Sequence, residues 1–451
     1  MRELTLWGRA DLAAENIAVY LDLAPRNADG YYSLPEFFNP LVPGTAPTAQ
    51  DGTALFVLNL AMLYRRLDPA AYGALRARML AFLRDAASPV AYWLDRIARA
   101  PGGLVPGSGE FGGGCCGLID TELVYNVVQN AQVACALRAV ARVEAEAGNS
   151  TGQARLTAAA AALRANMLQH LTNSTDGTWF WAINISTLAP SPAIVDNPPN
   201  IGFAGVNWAL ASLVDGPAGE WMPLNASVAS WPAGVAVSVK TLQHLWAAPL
   251  RQQLWRQYGI FTQFDILTQI KLPGHGTSAY GQDYATHAML LTDDVASAAR
   301  ALAFLANTTY NAGQSLSPYY FYERMEAPPL PNMAQVGCGE LNLVGVVAAT
   351  KSARLILGVD DTTPGALTLL PRLPSGWSSA QATDWPLLVA PGVTVRANLT
   401  VTATPAGGAA TLDLWLPPAT TVPRVTVRLW APETPARWLT FTDVTGHLHA
   451  Q

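Results

Sequence analysis

From about Ala10 to Val359 the apolar side chains recur every three or four positions, in blocks separated by Gly- and Pro-rich connections. That spacing matches the helical turn, so each block predicts an amphipathic helix. The blocks cover residues 54–67, 70–85, 90–99, 122–145, 152–170, 235–258, 284–291, 294–305 and 340–357. In the fourth block Leu123, Val127, Val128, Ala131, Ala134 and Cys135 trace the apolar stripe. Connections are short after one helix of a pair and long after the next, the long ones being 23–50, 100–121, 171–202, 262–282 and 307–339. They hold most of the Gly, Pro, Trp and Tyr, and long connections in a compact domain usually carry function. A mainly α toroid of helical hairpins, with the long loops at one end around a cleft, accounts for this alternation.

After Gly358 the pattern changes to alternating or β-branched runs bounded by Pro and Gly, at 366–370, 393–401, 410–416, 425–429 and 438–441. Such runs predict strands and a small C-terminal all-β sandwich. The expected division is a helical domain over 1–359 and a β domain over 360–451.

Composition narrows the functional classes. The chain has 451 residues, half of them apolar and 13% charged, which suits a large packed core and not a disordered chain. Its 27 Lys and Arg against 32 Asp and Glu give a net charge of −5, with no basic run to follow a phosphate backbone. The longest uncharged stretches, 177–195 and 221–239, are interrupted by Asn, Ser and Pro. Neither nucleic acid nor a membrane is the expected partner. Asn-X-Ser/Thr sequons at Asn149, Asn173, Asn184, Asn225, Asn307 and Asn398 point to a secretory-pathway lumen or secretion, although the chain opens Met-Arg-Glu-Leu-Thr without a basic-then-apolar leader. Cys115, Cys116, Cys135 and Cys338 fit no zinc spacing, and are either a bridge between loops or buried thiols. Phosphate-loop, serine-elbow and zinc-helix motifs are missing, so no cofactor and no metal is expected.

The chemistry concentrates in the long loops. Ser317-Pro-Tyr-Tyr-Phe-Tyr-Glu-Arg-Met-Glu326 sets Glu323 and Arg324 among Tyr319, Tyr320, Phe321 and Tyr322. A sugar ring has apolar C–H faces and a polar rim, so aromatic platforms beside a carboxylate suit a carbohydrate; the plainer reading is a core segment with Glu323 in solvent. A second loop, Gly102-Gly-Leu-Val-Pro-Gly-Ser-Gly-Glu110-Phe-Gly-Gly-Gly, has Glu110 as its lone charge. Glycosidic hydrolysis needs one protonated carboxyl and one ionised carboxylate, a pair Glu110 and Glu323 would form if the fold joins their loops. Glu36, in Tyr31-Tyr-Ser-Leu-Pro-Glu-Phe-Phe38, rivals Glu110 as the acid. His275, Asp283 and Asp120 are candidates for sugar hydroxyls, with helix capping the competing role for the two Asp residues and a hydrogen bond to a loop carbonyl the competing role for His275. Trp179, Trp181, Trp208 and Trp221 are candidate stacking platforms, with the core as the alternative.

The hairpin order, the Gly-Leu-Val-Pro-Gly-Ser-Gly-Glu loop, the Phe-Tyr-Glu-Arg segment and Leu367-Thr-Leu-Leu-Pro-Arg-Leu-Pro-Ser-Gly-Trp377 together resemble the six-hairpin glycosidases. These have an (α/α)6 barrel and include the family 63 α-glucosidases, family 78 α-L-rhamnosidases and family 95 1,2-α-L-fucosidases. The resemblance implies a glycoside hydrolase that cleaves an α-linked sugar with inversion. Glu110 falls at the general acid of the fucosidase-like Ser-Pro-Glu motif, with Gly109 in place of its Pro. Glu323 falls at the general base of the glucosidase- and rhamnosidase-like members. The fucosidase-like Asp of the last loop has no counterpart in Gln335-Val-Gly-Cys-Gly-Glu340. Tyr320, Tyr322, Arg324 and Trp181 complete the expected sugar contacts. A glycan-binding protein without turnover, or a phosphorylase, would keep the same fold.

Overall fold

The computed structural model describes residues 2–26, 29–32, 50–107, 124–180, 182–190, 233–247, 275–310, 324–327, 334–336, 351–403, 410–429 and 437–451. By compactness the chain divides into two units, one of residues 1–196, 208–220 and 386–394, the other of residues 197–207, 221–385 and 395–451. Among the described residues no helix is long and apolar enough to cross a membrane.

The first unit is built from α1 (Arg2–Leu6), α2 (Ala10–Leu23), α3 (Gln50–Arg66), α4 (Pro69–Arg84), α5 (Pro89–Arg99), α6 (Val127–Glu146) and α7 (Ser150–His170). Their starts follow from local chemistry. Asp68 and Ser88 accept from the backbone N–H groups of Ala70 and Ala91, at 2.9 and 3.1 Å, each just before a Pro whose missing N–H costs nothing at a first turn. Where the spacing predicts a helix from residue 122, the chain instead forms β1 (Val124–Asn126), antiparallel to β2 (Ala182–Asn184), and α6 begins only at Val127. The Asn126 side chain accepts from Gln129 N–H at 2.7 Å, a cap that fixes the later start.

α6 and α7 pack together but differ in burial. Sixteen residues of α6 are buried, whereas α7 buries Leu156, Ala160, Leu163 and Met167, a single stripe at helical spacing. α6 is therefore an inner helix and α7 an outer one. Glu144, nearly inaccessible on α6, ties three helices together: Arg84 of α4 reaches it at 2.7 Å and Asn149, the cap of α7, at 2.7 Å. The Arg84 hydrogen bond holds the Glu144 carboxyl below the usual range, against the opposing effect of burial and with help from Asn149.

The second unit carries α8 (Ala233–Ala247), β3 (His275–Ser278), α9 (Ala279–Leu291), α10 (Val295–Tyr310), β4 (Arg324–Ala327) and β5 (Ala334–Val336). Residues 351–357 are helical, and the rest of the predicted 340–357 helix lies outside the described residues, as does 248–258 of the predicted 235–258 helix. From Val359 onward every described element is a strand: β6 (Val359–Thr363), β7 (Ala366–Leu369), β8 (Ser379–Ala390), β9 (Val393–Ala403), β10 (Ala410–Trp415), β11 (Thr421–Leu429), β12 (Arg437–Thr445) and β13 (His447–Ala450). They form two four-stranded sheets, β13-β10-β9-β8 and β12-β11-β7-β6. The alternation of Ala397, Leu399, Val401 and of Leu412, Leu414 as buried positions between exposed or half-buried ones is the two-residue period of a sandwich.

The helix-to-sheet passage turns at Gly358, with φ at +68°. Its N–H donates to Arg354 C=O at 2.8 Å, and its C=O accepts from Leu370 N–H at 2.8 Å. A Cβ at this position would lie 1.9 Å from the Leu370 carbonyl carbon, so the glycine is required twice, by conformation and by contact.

Candidate functional site

Two described fragments lead to the loops singled out in the sequence, one in each unit. In the first unit residues 104–107 run toward Glu110. Asn130 holds them to α6: its Oδ1 accepts from Val105 N–H at 2.8 Å, and its Nδ2 donates to the Val105 and Asn126 carbonyls at 3.0 and 2.9 Å. Gly107 N–H donates to Val124 C=O at 2.9 Å. A Cβ on Gly107 would meet Asn126 Nδ2 at 2.2 Å and Gln129 Oε1 at 3.1 Å, so these amides lie directly against the backbone entering the Glu110 loop.

The opening turns of α6 are polar in an otherwise apolar setting. Asn126, Gln129, Asn130 and Gln132 are all buried, at 1% exposure or less. Asn126 and Asn130 satisfy their backbone neighbours. Both amide atoms of Gln129 and Oε1 of Gln132 are buried with no hydrogen-bond partner. An unmet buried polar group costs about 1–3 kcal/mol, so three in two adjacent side chains call for a reason. Sequence reasoning passed over these residues, although Asn126, Gln129 and Gln132 recur every three positions along an apolar helix.

Of the segment containing Glu36, Tyr31 and Tyr32 are described, and both are packed: Tyr31 edge-on to Tyr92 with centroids 5.3 Å apart, Tyr32 against Phe82 at 5.1 Å. The Arg96 guanidinium lies 5.0 Å from the Tyr92 ring centre and 2.8 Å from Asp29. Burial pushes the nearby Tyr125 phenol up, with Arg96 opposing.

In the second unit β3, β4 and β5 make an antiparallel sheet in the order β3-β4-β5. His275 pairs with Ala327 and Ser278 with Arg324. The strand that begins one residue after Glu323 is thus registered beside the strand that begins at His275, bringing two predicted site segments together at backbone level. Asp283 does not open its helix, because α9 starts at Ala279 straight out of β3. Further along α9 Thr286 and His287 are buried.

Glu36, Glu110, Asp120, Trp181, Tyr320, Tyr322 and Glu323 lie outside the described residues, as do Trp208, Trp221, Cys115, Cys116 and Cys338. Of its two readings, platform or core, Trp179 takes the core one: it is 7% exposed and bridges to Thr172. Cys135 is a buried thiol on α6 that accepts from Arg138 at 3.7 Å. Among the described residues no group of His, Cys, Asp and Glu is arranged to hold a metal ion.

No protein-family model matches the sequence, and no curated protein does. Solved structures do resemble it. The α-L-rhamnosidase from Dictyoglumus thermophilum superposes with a TM-score of 0.51 at 10% identity, covering 100% of this chain and 45% of its own. The family 78 rhamnosidase of Bacillus sp. GL1 gives a TM-score of 0.49 at 14% identity, over 92% of this chain and 36% of its own. The chain spans less than half the length of either. The likeness is one of fold, an (α/α)6-type arrangement of helical hairpins followed by a C-terminal β sandwich.

Proposed function

We propose that the protein is a glycoside hydrolase that releases an α-linked sugar from a glycan or oligosaccharide with inversion at the anomeric carbon. The observation that carries this reading is the fold shared along the whole chain with an α-L-rhamnosidase, together with a Glu at the residue entering β4. Glu110 gives its proton to the leaving glycosidic oxygen as the bond to the anomeric carbon breaks. Glu323 takes a proton from a water whose oxygen attacks that carbon from the opposite face. Inversion calls for the two carboxyl groups to stand roughly 6.5–9.5 Å apart, leaving room for the water.

The sugar contacts in this reading are Tyr320, Tyr322 and Trp181 as stacking surfaces, with Arg324, His275, Asp283, Asp120 and Glu36 toward its hydroxyls. Residues 1–359 serve as the catalytic domain and 360–451 as the supporting β domain. The sequons favour a secretory-pathway lumen or secretion.

The test is sugar release from aryl α-L-rhamnosides, α-L-fucosides, α-glucosides and natural oligosaccharides, with NMR of the first anomer formed. Wild type should release the inverted sugar, and Glu323→Gln and Glu110→Gln should each lose about 10²–10⁴-fold in kcat. Full activity in Glu323→Gln would remove it from the mechanism. Sugar binding without release from any substrate would favour the glycan-binding reading, for which Gly109 and the missing Asp between Gln335 and Glu340 speak.

A further inference from the structure

We propose that Gln129, with Gln132 one turn on, is a sugar-hydroxyl site of this enzyme and sets which sugar it accepts; the inference rests on the glycosidase reading above. Its basis is the unmet polarity at the start of α6. Gln129 Nε2 and Oε1 and Gln132 Oε1 are sealed in a helix with sixteen buried residues, and none has a hydrogen-bond partner. Gln129 and Gln132 are three apart and share one helix face.

The other two amides in the same turns show what a purely structural role looks like here. Asn126 caps the helix and Asn130 satisfies three backbone groups. Gln129 and Gln132 do nothing of the kind with their side chains. A carboxamide presents a donor and an acceptor side by side, and two neighbouring ring hydroxyls, each both donor and acceptor, are its natural complement. Two Gln residues offer neither net charge nor metal affinity, which suits a neutral polyol over a phosphate or a carboxylate. The location agrees, since Gln129 Oε1 lies against Gly107, three residues before Glu110.

A site built to hydrogen-bond a hydroxyl rejects the analogue that lacks it, because the buried amide is then left unpaired. The experiment uses Gln129→Leu and, in case that variant does not fold, Gln132→Leu. Both are compared with wild type on the cleaved glycoside and on its monodeoxy analogues, alongside thermal melts. Wild type should lose about tenfold in kcat/KM on one particular deoxy analogue, the worth of one hydrogen bond, while Gln129→Leu loses as much on the parent sugar and no longer distinguishes the two. The loss should appear in KM, with Tm held or raised, since an apolar side chain of similar size removes an unmet amide.

Unchanged discrimination in Gln129→Leu and Gln132→Leu, with only Tm altered, would overturn the inference and assign the amides to an internal water, leaving the glycosidase reading intact. If wild type binds sugars without cleaving them, the same comparison of parent and deoxy sugars by calorimetry decides in place of kinetics. If it neither binds nor cleaves, the glycosidase reading fails and the site with it.

Discussion

Arg372 and Asp293 meet in the interior of the second unit, with Nε 3.0 Å from Oδ1 and the guanidinium fully buried. Arg428, also fully buried, closes on the same carboxylate at 2.7 and 2.9 Å. The three come from distant parts of the chain: the turn between α9 and α10, the segment after β7, and β11. Burial and then the neighbouring Arg428 charge drive the Arg372 pKa down to about 10, against the pull of Asp293. It is charged at any physiological pH. The Leu-Leu-Pro-Arg-Leu-Pro run owes its Arg to this junction.

Asp293→Asn keeps the side-chain shape and tolerates the residue's φ of +60°, so it isolates the charge. Two buried guanidiniums then lose their shared anion, and breaking such a pair from one side costs about 3–5 kcal/mol. Urea unfolding should show a loss of that size. A loss below about 1 kcal/mol would mean that the arginines are compensated elsewhere and Asp293 is incidental.

Gly358→Ala should be far worse than Gly376→Ala. Both glycines have positive φ, +68° and +84°, but a Cβ at Gly358 runs into the Leu370 backbone while at Gly376 it meets nothing within 4 Å. The φ penalty alone, about 1–2 kcal/mol, is expected for Gly376→Ala. Gly358→Ala should add a steric term large enough to leave the β strands unfolded or the protein insoluble. Equal thermal shifts for the two would show that the chain relieves the clash by moving.

Glu144 gives the first unit a dependence on acid. Its carboxyl is held below the ordinary value of 4.5 by Arg84 and Asn149, so the unfolded chain takes up a proton at a higher pH than the folded one. The stability it contributes is complete above the unfolded pKa and fades as pH falls through the folded one. In Glu144→Gln that increment is missing, so the difference in stability from wild type should be largest near neutral pH and shrink below about pH 4. A difference that stays constant with pH would assign the effect to packing.

What the sequence reveals and what it hides follow the range of the interactions involved. Helix starts with an Asp or Ser cap before Pro were legible because Asp68 and Ser88 act on residues two and three positions away. The runs at 410–416 and 393–401 showed their period because one sheet face is buried. The pairing of Val124 with Asn184, which converts the head of a helical stripe into a strand, is settled across sixty residues, and no local period encodes it. β8 went unseen because Ser379–Asp384 is mostly exposed and polar, held by pairing and not by burial. Of the candidate site, the juxtaposition of the His275 strand and the strand after Glu323 was unreadable for the same reason, and the unmet amides of Gln129 and Gln132 are polar residues that only burial makes unusual.

Asn130 is the residue through which packing should reach chemistry. Its amide satisfies both polar groups of buried Val105, five residues ahead of Glu110, and nothing else in α6 substitutes for it. In Asn130→Ala the Val105 N–H and C=O lose their partner, a cost of about 1–3 kcal/mol for each group left unmet, and the segment entering the Glu110 loop loses its register on the helix. With Glu110 in its proposed role as the acid, misplacing it by an ångström lowers kcat about 10²-fold, so kcat should fall far more than KM rises, with a Tm several degrees below wild type. Asn130→Asp keeps an acceptor for the Val105 N–H but no donor for its carbonyl, and should fall between wild type and Asn130→Ala in both readouts. If kcat stays at the wild-type level while Tm drops in both variants, residues 104–107 do not position the acid, and Glu36 takes precedence over Glu110.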